Sequence, residues 1–528
     1  MPATMRCSWL LIVGALAAPT AARAQSAYEE LQTFSSLLSQ IRLNYVDSVS
    51  TARLVRGAIN GMLATLDPHS YFESGADATR TEAWRNGTLA GAGIVVEDVD
   101  DAIEVEAVLA GTPAARAGIS PGDRVRSLND TAVAGLNASQ VQARLIGDKG
   151  TRLLLGLERG SRLEPETLSV HLKLDVMRPR AVSIARSLPD GVGYVRLEEF
   201  LPNAGHDLHD AVDRALRGTP HGQPRRLILD LRGNPGGVVT ASVDVAEQFL
   251  PAHTLVFRSQ GRHHDEDQEF RTARDGDWGD VALIVLVDNG TASAAEALTA
   301  SLQDHDRALI AGRRTFGKAL MQRAFLVPPN DDVVWLTVGY ILSPSGRLIQ
   351  RRYHGLNTSQ YYSEAGSAGT ATDTAAEYHT DHGRVVRAGG GIRPDTTLPA
   401  PATVPAWFLA AADTGLDDAV ADSVAATLGA TPAAREAWMT APDQWRDRLV
   451  TPFLTRVRAA LRVQAVPDSA FAARLGRILA ARAAQVRWGD DALEEFRLRN
   501  DPDVAAALTL FPQLPTLLHL TSSPGSSR

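Results

Sequence analysis

Apolar residues recur at helical spacing near the start of the chain. Two stripes share this spacing, and they are Leu31-Phe34-Leu38-Ile41 and Leu54-Ala58-Met62-Leu66. Apolar residues three and four positions apart lie on one face of a helix. The pattern therefore predicts an N-terminal helical region over residues 25–88.

Short apolar runs separated by Gly, Pro and Asp follow over residues 89–175. The runs are residues 94–96, 103–108, 153–157 and 168–172. Runs of this length between turn-forming residues are typical of strands. We expect a small β-rich module with one helix at about residues 139–146.

Strand-like and helix-like segments alternate over residues 176–400. The strand candidates are residues 192–197, 227–231, 281–287 and 308–311. Alternation of this kind predicts a largely parallel sheet with crossover helices, and therefore an α/β core built from βαβ units. Residues 281–287 are apolar throughout, as expected for a strand that is covered on both faces.

Two further segments have their own composition. Residues 353–385 are rich in Ser, Thr, Gly, Tyr and His and predict a long loop. Residues 401–528 are rich in Ala and Arg, with helix-start signals such as Thr431-Pro432, and predict a helical appendage. The appendage either mediates self-association or packs on its own core, and the sequence does not decide between them. The fold class is therefore a multidomain α+β and α/β protein.

The N-terminus has the features of a secretory signal. Arg6 precedes the apolar residues 9–18, and Ala22-Arg23-Ala24 has the small-x-small pattern of a cleavage site. We expect residues 1–24 to be a signal peptide and the protein to be secreted or periplasmic. No later segment is long and apolar enough to suggest a transmembrane span. The single cysteine, Cys7, lies in this signal, so thiolate catalysis and Cys-ligated metals are excluded after cleavage near Ala24.

The charge balance argues against nucleic acid as a partner. The chain of 528 residues has 53 Lys and Arg against 61 Asp and Glu, for a net charge of -8. The basic residues are almost all Arg, since only Lys149, Lys173 and Lys318 are lysines. A lysine inside a motif therefore calls for a chemical reason.

Ser293 and Lys318 are the candidate catalytic pair. Ser293 opens a helix after the strand at residues 281–287, and Lys318 follows the next strand. Both strands of a βαβ unit run the same way, so the two residues are expected at the same edge of the sheet. A neutral lysine can accept a hydroxyl proton, whereas an arginine stays protonated. A simpler reading of Ser293 is a helix N-cap, because Ser293-x-x-Glu296 has capping-box spacing.

A glycine-rich turn, residues 232–237, follows a third strand at the same edge. The backbone N–H of Ala294 and one from Gly236 or Gly237 are candidate donors to an oxyanion. Gln322, four residues after Lys318, is a candidate to orient the amine. We expect no metal and no cofactor.

At these residues the chain resembles the C-terminal processing, or tail-specific, serine peptidases. The matching segments are Leu66-Asp-Pro-His-Ser70, Asp230-Leu-Arg-Gly-Asn-Pro-Gly-Gly237, Ser293-Ala-Ala-Glu296, Thr315-Phe-Gly-Lys318, Ser343-Pro-Ser-Gly-Arg347 and Gly391-Ile-Arg-Pro-Asp395. The resemblance places the catalytic serine, lysine and glutamine of that family on Ser293, Lys318 and Gln322. Ala319 departs from the glycine that is common there, and the 353–385 segment and the helical tail are not general features of the family.

Residues 89–175 resemble a PDZ domain through Gly91-Ala92-Gly93-Ile94 and Pro113-Ala-Ala-Arg-Ala-Gly118. The resemblance implies that Gly91, Ala92, Gly93 and Ile94 bind a terminal carboxylate while an exposed strand edge pairs with the peptide. The expected function is a Ser/Lys serine endopeptidase that binds unstructured protein tails and cleaves near C-termini. The alternative is a catalytically inert PDZ-containing scaffold. The terminal helices also suggest a possible homo-oligomer.

Overall fold

The computed structural model of the chain describes residues 18–99, 102–109, 111–160, 165–178, 180–188, 191–217, 225–363, 376–412 and 414–519. Most of the predicted signal peptide, residues 1–17, lies outside the described residues. Helix α1 begins at Ala18 and continues through the expected cleavage site at Ala24. Among the described helices, none has the length and hydropathy that crossing a membrane requires.

The N-terminal region is mainly helical, as predicted. Its elements are α1 (Ala18–Asn44), α2 (Thr51–Ala64), β1 (Tyr71–Glu73) and α3 (Gly75–Arg85). Helix α2 begins after Ser50, whose hydroxyl accepts a hydrogen bond from the Arg53 N–H at 3.2 Å. An N-cap of this kind satisfies one of the free N–H groups of the first turn.

The β-rich module forms a sheet with strand order β3-β4-β5-β7-β8, in which β6 pairs with β5. The elements from residue 90 to 176 are β2 (Ala90–Gly91), β3 (Ile94–Val99), β4 (Ala102–Val108), α4 (Pro113–Arg116), β5 (Arg124–Leu128), β6 (Thr131–Ala132), α5 (Ala138–Arg144), β7 (Arg152–Arg159), β8 (Glu166–Lys173) and β9 (Asp175–Val176). The strand β3 is at one end of this order, and it pairs with β4 on one side. Helix α5 lies where the sequence predicts it, within two residues at each end.

The central sheet has strand order β10-β11-β12-β15-β16-β21. Its strands and the helices between them are β10 (Val182–Ser187), β11 (Val192–Leu197), α6 (Ala204–Leu216), β12 (Arg226–Asp230), α7 (Val239–Glu247), β15 (Ala282–Val287), α8 (Ala294–Asp304), β16 (Leu309–Gly312) and β21 (Thr396–Thr397). The strands from β11 to β21 are parallel, and β10 is antiparallel. The four predicted strands agree with β11, β12, β15 and β16 to within one residue at each end. Leu283 and Ile284 point to opposite faces of β15 and both are buried, so the sheet is covered on both sides.

A second, largely antiparallel sheet lies beside the central one and was not predicted. Its strands are β1, β13 (Leu255–Gly261), β14 (Gln268–Arg271), β17 (Leu320–Val327) and β18 (Asp332–Leu342). Strand β1 pairs with β18, which attaches the N-terminal region to the core. Strand β17 begins two residues after Lys318 and carries Gln322.

The expectation of a long loop over residues 353–385 is wrong for part of the described segment, and residues 364–375 lie outside the described residues. The structure places α9 (Thr358–Ser363) and two paired strands, β19 (Glu377–His379) and β20 (Val385–Arg387), in and just beyond it. The Arg384 guanidinium donates to Asp306 and Asp395, which are residues of the core. Polar contacts to distant residues hold this segment, so it has no apolar periodicity for the sequence to reveal.

The C-terminal region is helical, as predicted. Its described helices are α10 (Ala406–Ala412), α11 (Leu416–Ala425), α12 (Pro432–Met439), α13 (Pro442–Trp445), α14 (Thr451–Leu461), α15 (Ser469–Trp488), α16 (Asp490–Arg499), α17 (Pro502–Leu510) and α18 (Leu514–Leu517). Val504 and Ala507 of α17 belong to the same buried cluster as Ile228 and Ile284 of the central sheet. The end of the appendage therefore packs on its own core.

Candidate active site

Ser293 occupies a strained position immediately before α8. Its backbone dihedrals are φ 56° and ψ -118°, in a region that residues other than glycine rarely adopt. Such strain is concentrated at functional sites. The residue is buried, with 8% of its surface exposed. The structure thus holds this serine in a conformation that an ordinary helix cap does not require.

Lys318 lies in the connection between β16 and β17, as the βαβ argument expects. Its Nζ donates a hydrogen bond to Gln322 Oε1 at 3.2 Å. The Gln322 Nε2 in turn donates to the main-chain carbonyl of His69. Burial lowers the pKa of the Lys318 amine, and the negative charges of Asp67 and Glu296 partly oppose this effect. The environment therefore favours the neutral amine more than water does.

Ser293 and Lys318 line one small cavity of about 10 Å³, which is at the lower limit of what can hold a single water molecule. Apolar side chains form most of its remaining wall, including Phe257, Ile341 and Ile349. Both residues are described, and no hydrogen bond joins the serine hydroxyl to the lysine amine. The two residues therefore share one cavity without a hydrogen bond between their reactive groups in this conformation.

Glu296 connects the segments that carry the two candidate catalytic residues. Its carboxylate accepts hydrogen bonds from the N–H groups of Ser293 (3.0 Å), Gly317 (2.7 Å) and Lys318 (2.8 Å), and from the Thr315 hydroxyl. The side chain is fully buried, and burial raises its pKa to about 7 although these hydrogen bonds oppose the shift. The capping-box spacing identified only the first contact, because the other three come from residues about twenty positions later.

The glycine-rich turn touches Ser293, but only part of the expected donor set is available. A Cβ atom on Gly236 would lie 2.7 Å from the Ser293 Cβ, so only glycine fits there. The Gly236 N–H already donates to Asn234 Oδ1 at 2.9 Å. In this conformation the Gly236 N–H is therefore engaged within the turn, and its role as an oxyanion donor stays a prediction. The two other candidate donors, the N–H groups of Ala294 and Gly237, have no hydrogen-bond partner among the described residues.

The segment Asp67-Pro68-His69-Ser70 reaches the same site from the N-terminal region. Asp67 Oδ1 accepts hydrogen bonds from the N–H groups of His69 (2.8 Å) and Ser70 (2.9 Å). Burial, and then the charge of Lys318, lower the pKa of His69 to about 4. The imidazole is thus neutral at physiological pH. Sequence analysis used this segment only for the resemblance and gave His69 no role in the site.

Helix α9 covers the outer side of His69 with two tyrosines. The Tyr361 hydroxyl lies 2.9 Å from His69 Nε2, and Tyr361 is fully buried. Tyr362 is 48% exposed, and its hydroxyl lies 3.5 Å from His69 Nδ1. Their rings pack around Phe316, two residues before Lys318. Part of the 353–385 segment is therefore a wall of the site.

Comparison with known proteins identifies the family. Residues 191–358 match the profile of peptidase family S41. A carboxy-terminal-processing protease of Bartonella bacilliformis is 31% identical over 328 residues, which cover 62% of this chain and 74% of that protein. The chain belongs to this family of carboxy-terminal-processing serine peptidases. A carboxyl-terminal-processing protease of Synechocystis sp. is 34% identical over 51% of this chain and 62% of its own length.

Two further regions of the peptidase match known domains. Residues 104–159 match the PDZ domain, and residues 15–74 match a domain described as the activating protease CtpB N-terminal domain. Among solved structures, the photosystem II D1 C-terminal processing protease covers 70% of this chain and 87% of its own at 24% identity, with a TM-score of 0.39. The two profile matches, to peptidase family S41 and to the PDZ domain, confirm the expected combination of a PDZ domain with a serine peptidase.

The PDZ segment from Gly91 to Ile94 is less open than expected for a carboxylate-binding loop. Ala92 is fully buried, and its N–H donates to the Leu145 carbonyl at 2.8 Å. The Ala92 N–H is therefore engaged within the module in this conformation, and its role as a carboxylate ligand stays a prediction. Gly93 has a φ of 82° and lies against Thr112, where a Cβ would approach within 2.2 Å. Ile94 begins the end strand β3.

The C-terminal region of the peptidase contacts both loops of the candidate active site. Arg232, at the start of the glycine-rich turn, forms ion pairs with Asp501 (2.7 Å) and Asp503 (2.9 Å). Asp503 also pairs with Arg313, between β16 and Lys318. Sequence analysis predicted helices here but had no basis for assigning them a contact with the site.

Proposed function

We propose that this peptidase uses Ser293 as the nucleophile and Lys318 as the general base to cleave proteins near their C-termini. In this proposal the PDZ domain binds the unstructured tail of the substrate and delivers the chain to Ser293. The observation that carries it is the cavity shared by Ser293 and Lys318. The strained backbone of Ser293 and the Glu296 carboxylate that links both segments support the same assignment.

The reaction proceeds by proton transfer between these two residues. The neutral Lys318 amine accepts the hydroxyl proton as Ser293 Oγ bonds to the peptide carbonyl carbon. The N–H groups of Ala294 and Gly237 donate to the resulting oxyanion. The lysine ammonium then gives its proton to the departing amine as the C–N bond breaks. Water hydrolyses the acyl-enzyme by the same transfers, which restores the serine.

Gln322 acts as a positioning residue in this proposal. Its Oε1 accepts from the Lys318 Nζ, and its Nε2 is fixed by the His69 carbonyl. An amide held at both ends restricts where the amine can lie. This matters because proton transfer requires the amine within hydrogen-bonding reach of the serine hydroxyl.

Substitution of the serine tests the proposal. The Ser293→Ala variant is expected to lose cleavage of a folded protein that carries an appended unstructured tail. Ser301→Ala is the matched control, since Ser301 is a buried serine on the same helix and its hydroxyl has no hydrogen-bond partner. Retained cleavage by Ser293→Ala contradicts the assignment. Tail binding without any cleavage by the unmodified protein would instead favour the inert scaffold.

We also propose that residues 1–24 direct the protein out of the cytoplasm and are removed after Ala24. N-terminal sequencing of the mature protein from its native host tests this, and an N-terminus within residues 1–18 contradicts it.

The helices at the chain ends are proposed to mediate self-association. Helix α1 exposes apolar side chains, with Leu31 66% and Leu37 57% exposed. Light scattering tests this, because Leu31→Asp should lower the molar mass if copies associate through α1. A monomeric mass for the unmodified protein contradicts it.

A further inference from the structure

The end strand of the PDZ sheet has one edge that none of the described strands covers. Strand β3 pairs with β4 on one side only, and its other edge faces helix α5. Free N–H and C=O groups along such an edge accept an additional strand. Peptides that bind by strand addition form main-chain hydrogen bonds to these groups.

One side chain of α5 already uses the groups that such a peptide needs. Gln142 Nε2 donates to the Ile94 carbonyl at 2.9 Å, and Gln142 Oε1 accepts from the Val96 N–H at 3.1 Å. Ile94 and Val96 are alternate residues of β3, so their polar groups point to the same edge. The amide of Gln142 therefore takes the place of the backbone of an added strand.

We propose that Gln142 closes the peptide groove of the PDZ domain, and that a substrate tail binds only by displacing its amide from Ile94 and Val96. The inference rests on the tail-binding role proposed above and adds a residue that determines the affinity of that step. No change of the fold is needed, because only the side chain has to leave the edge.

Helix α5 is anchored to the module, so the Gln142 side chain can leave the edge of β3 while the helix stays in place. Val141 directly precedes Gln142 in α5, and Leu145 caps the C-terminal end of the helix. Both are buried in the module's core, at 0% and 1% exposure. The first turn is held by the Asn137–Gln140 capping box and by the Ala138 N–H, which donates to Asp98 Oδ1 at 2.9 Å. Gln142 itself is only half-buried, so rotation of its side chain leads to solvent.

The test measures peptide affinity in the full chain carrying Ser293→Ala, so that the probe is not cleaved. The probe is a short fluorescein-labelled peptide with a free carboxylate, ending in valine because valine favours the extended backbone of an added strand. Gln142→Leu keeps the size of the side chain but cannot form either hydrogen bond. It should lower the Kd roughly five- to a hundredfold, the range expected when two competing neutral hydrogen bonds are removed.

Ser139→Ala is the matched control, because Ser139 is an exposed polar residue of the same helix. Its Kd should equal that of the parent protein. Hydrogen exchange of the Val96 amide gives a second readout. This amide should exchange faster in Gln142→Leu and become protected when the peptide binds. A change in overall stability would not reproduce this pair of results.

The outcomes separate the two proposals. An unchanged or higher Kd in Gln142→Leu, with binding by the parent protein intact, overturns the role of Gln142 and leaves tail binding in place. Unchanged exchange of the Val96 amide overturns it as well. An absence of peptide binding by both proteins overturns this inference together with the tail-binding function.

Discussion

Asp503 of helix α17 forms a salt bridge with Arg313, which lies five positions before Lys318 in the sequence. The same carboxylate accepts a hydrogen bond from the Arg232 guanidinium at 2.9 Å. Arg232 begins the glycine-rich turn, and Arg313 precedes the lysine. One residue of the C-terminal region thus joins the two loops that carry the candidate oxyanion donor and base.

Asp503→Asn should therefore reduce catalysis. Asp503 is 9% exposed, and neutralising it leaves Arg313 without its described ion-pair partner, whereas Arg232 keeps Asp230 and Asp501. We expect kcat to fall about tenfold, or roughly 1.4 kcal/mol, with a smaller change in KM. Asp491→Asn is the control, because that carboxylate pairs with Arg186 while 84% exposed. An unchanged kcat in a folded Asp503→Asn protein would argue that the contact is purely structural.

Replacing Lys318 by arginine should be as damaging as replacing it by alanine. The proposed base must lose its proton, and a guanidinium does not do so in this range. In the unmodified enzyme kcat/KM should rise with pH as the amine deprotonates, with the midpoint below 10.5 because burial lowers the pKa of Lys318. A pH–rate profile measures the midpoint. Substantial activity in Lys318→Arg would exclude proton abstraction by residue 318.

The two tyrosines of α9 offer a matched pair of substitutions. Tyr361→Phe removes the hydroxyl that contacts His69 Nε2 at 2.9 Å, so the His69 segment that holds Gln322 should be less well fixed. We expect kcat to fall about three- to tenfold, equivalent to one lost neutral hydrogen bond. Tyr362→Phe should have little effect, because its hydroxyl is 3.5 Å from the ring and the residue is half-exposed. Equal effects of both substitutions would contradict this distinction.

Glu296 should make the stability of the folded protein depend on pH. Its pKa of about 7 lies above the ordinary value of 4.5, so the folded state holds the proton more tightly than the unfolded chain. This contribution to stability is complete below pH 4.5 and is lost as the pH rises through about 7, with an upper bound of about 3 kcal/mol. Glu296→Gln cannot titrate. Its Tm should therefore fall less than that of the parent protein between pH 5 and pH 8, and parallel curves would show that Glu296 is ionised throughout.

The central sheet could be predicted because its signal is local. The apolar run that became β15, the helix start at Ser293 and the following strand lie within about thirty residues. The direction of a βαβ unit then places Ser293 and Lys318 at one edge. The scarcity of lysine in this chain made Lys318 conspicuous.

The rest of the site depends on contacts between distant positions. His69 and Tyr361 are 292 residues apart, and no periodicity links them. Glu296 has the spacing of a helix cap, and only the folded chain brings Thr315, Gly317 and Lys318 to the same carboxylate. Strand β18 alternates little in burial, so its pattern gave no sign of a second sheet. Gln142 likewise reads as an ordinary polar residue of a short helix until its partners on β3 are known.

The link between α17 and the two candidate catalytic loops has a consequence for which substitutions the chain can tolerate. Three separate stretches of sequence contribute to one network of ion pairs, which is formed by Arg232, Arg313, Asp501 and Asp503. A change at one of these positions alters what is tolerated at the others. The appendage and the loops should therefore evolve in concert, so that exchanging either part between related enzymes succeeds only when its charged counterparts are transferred with it.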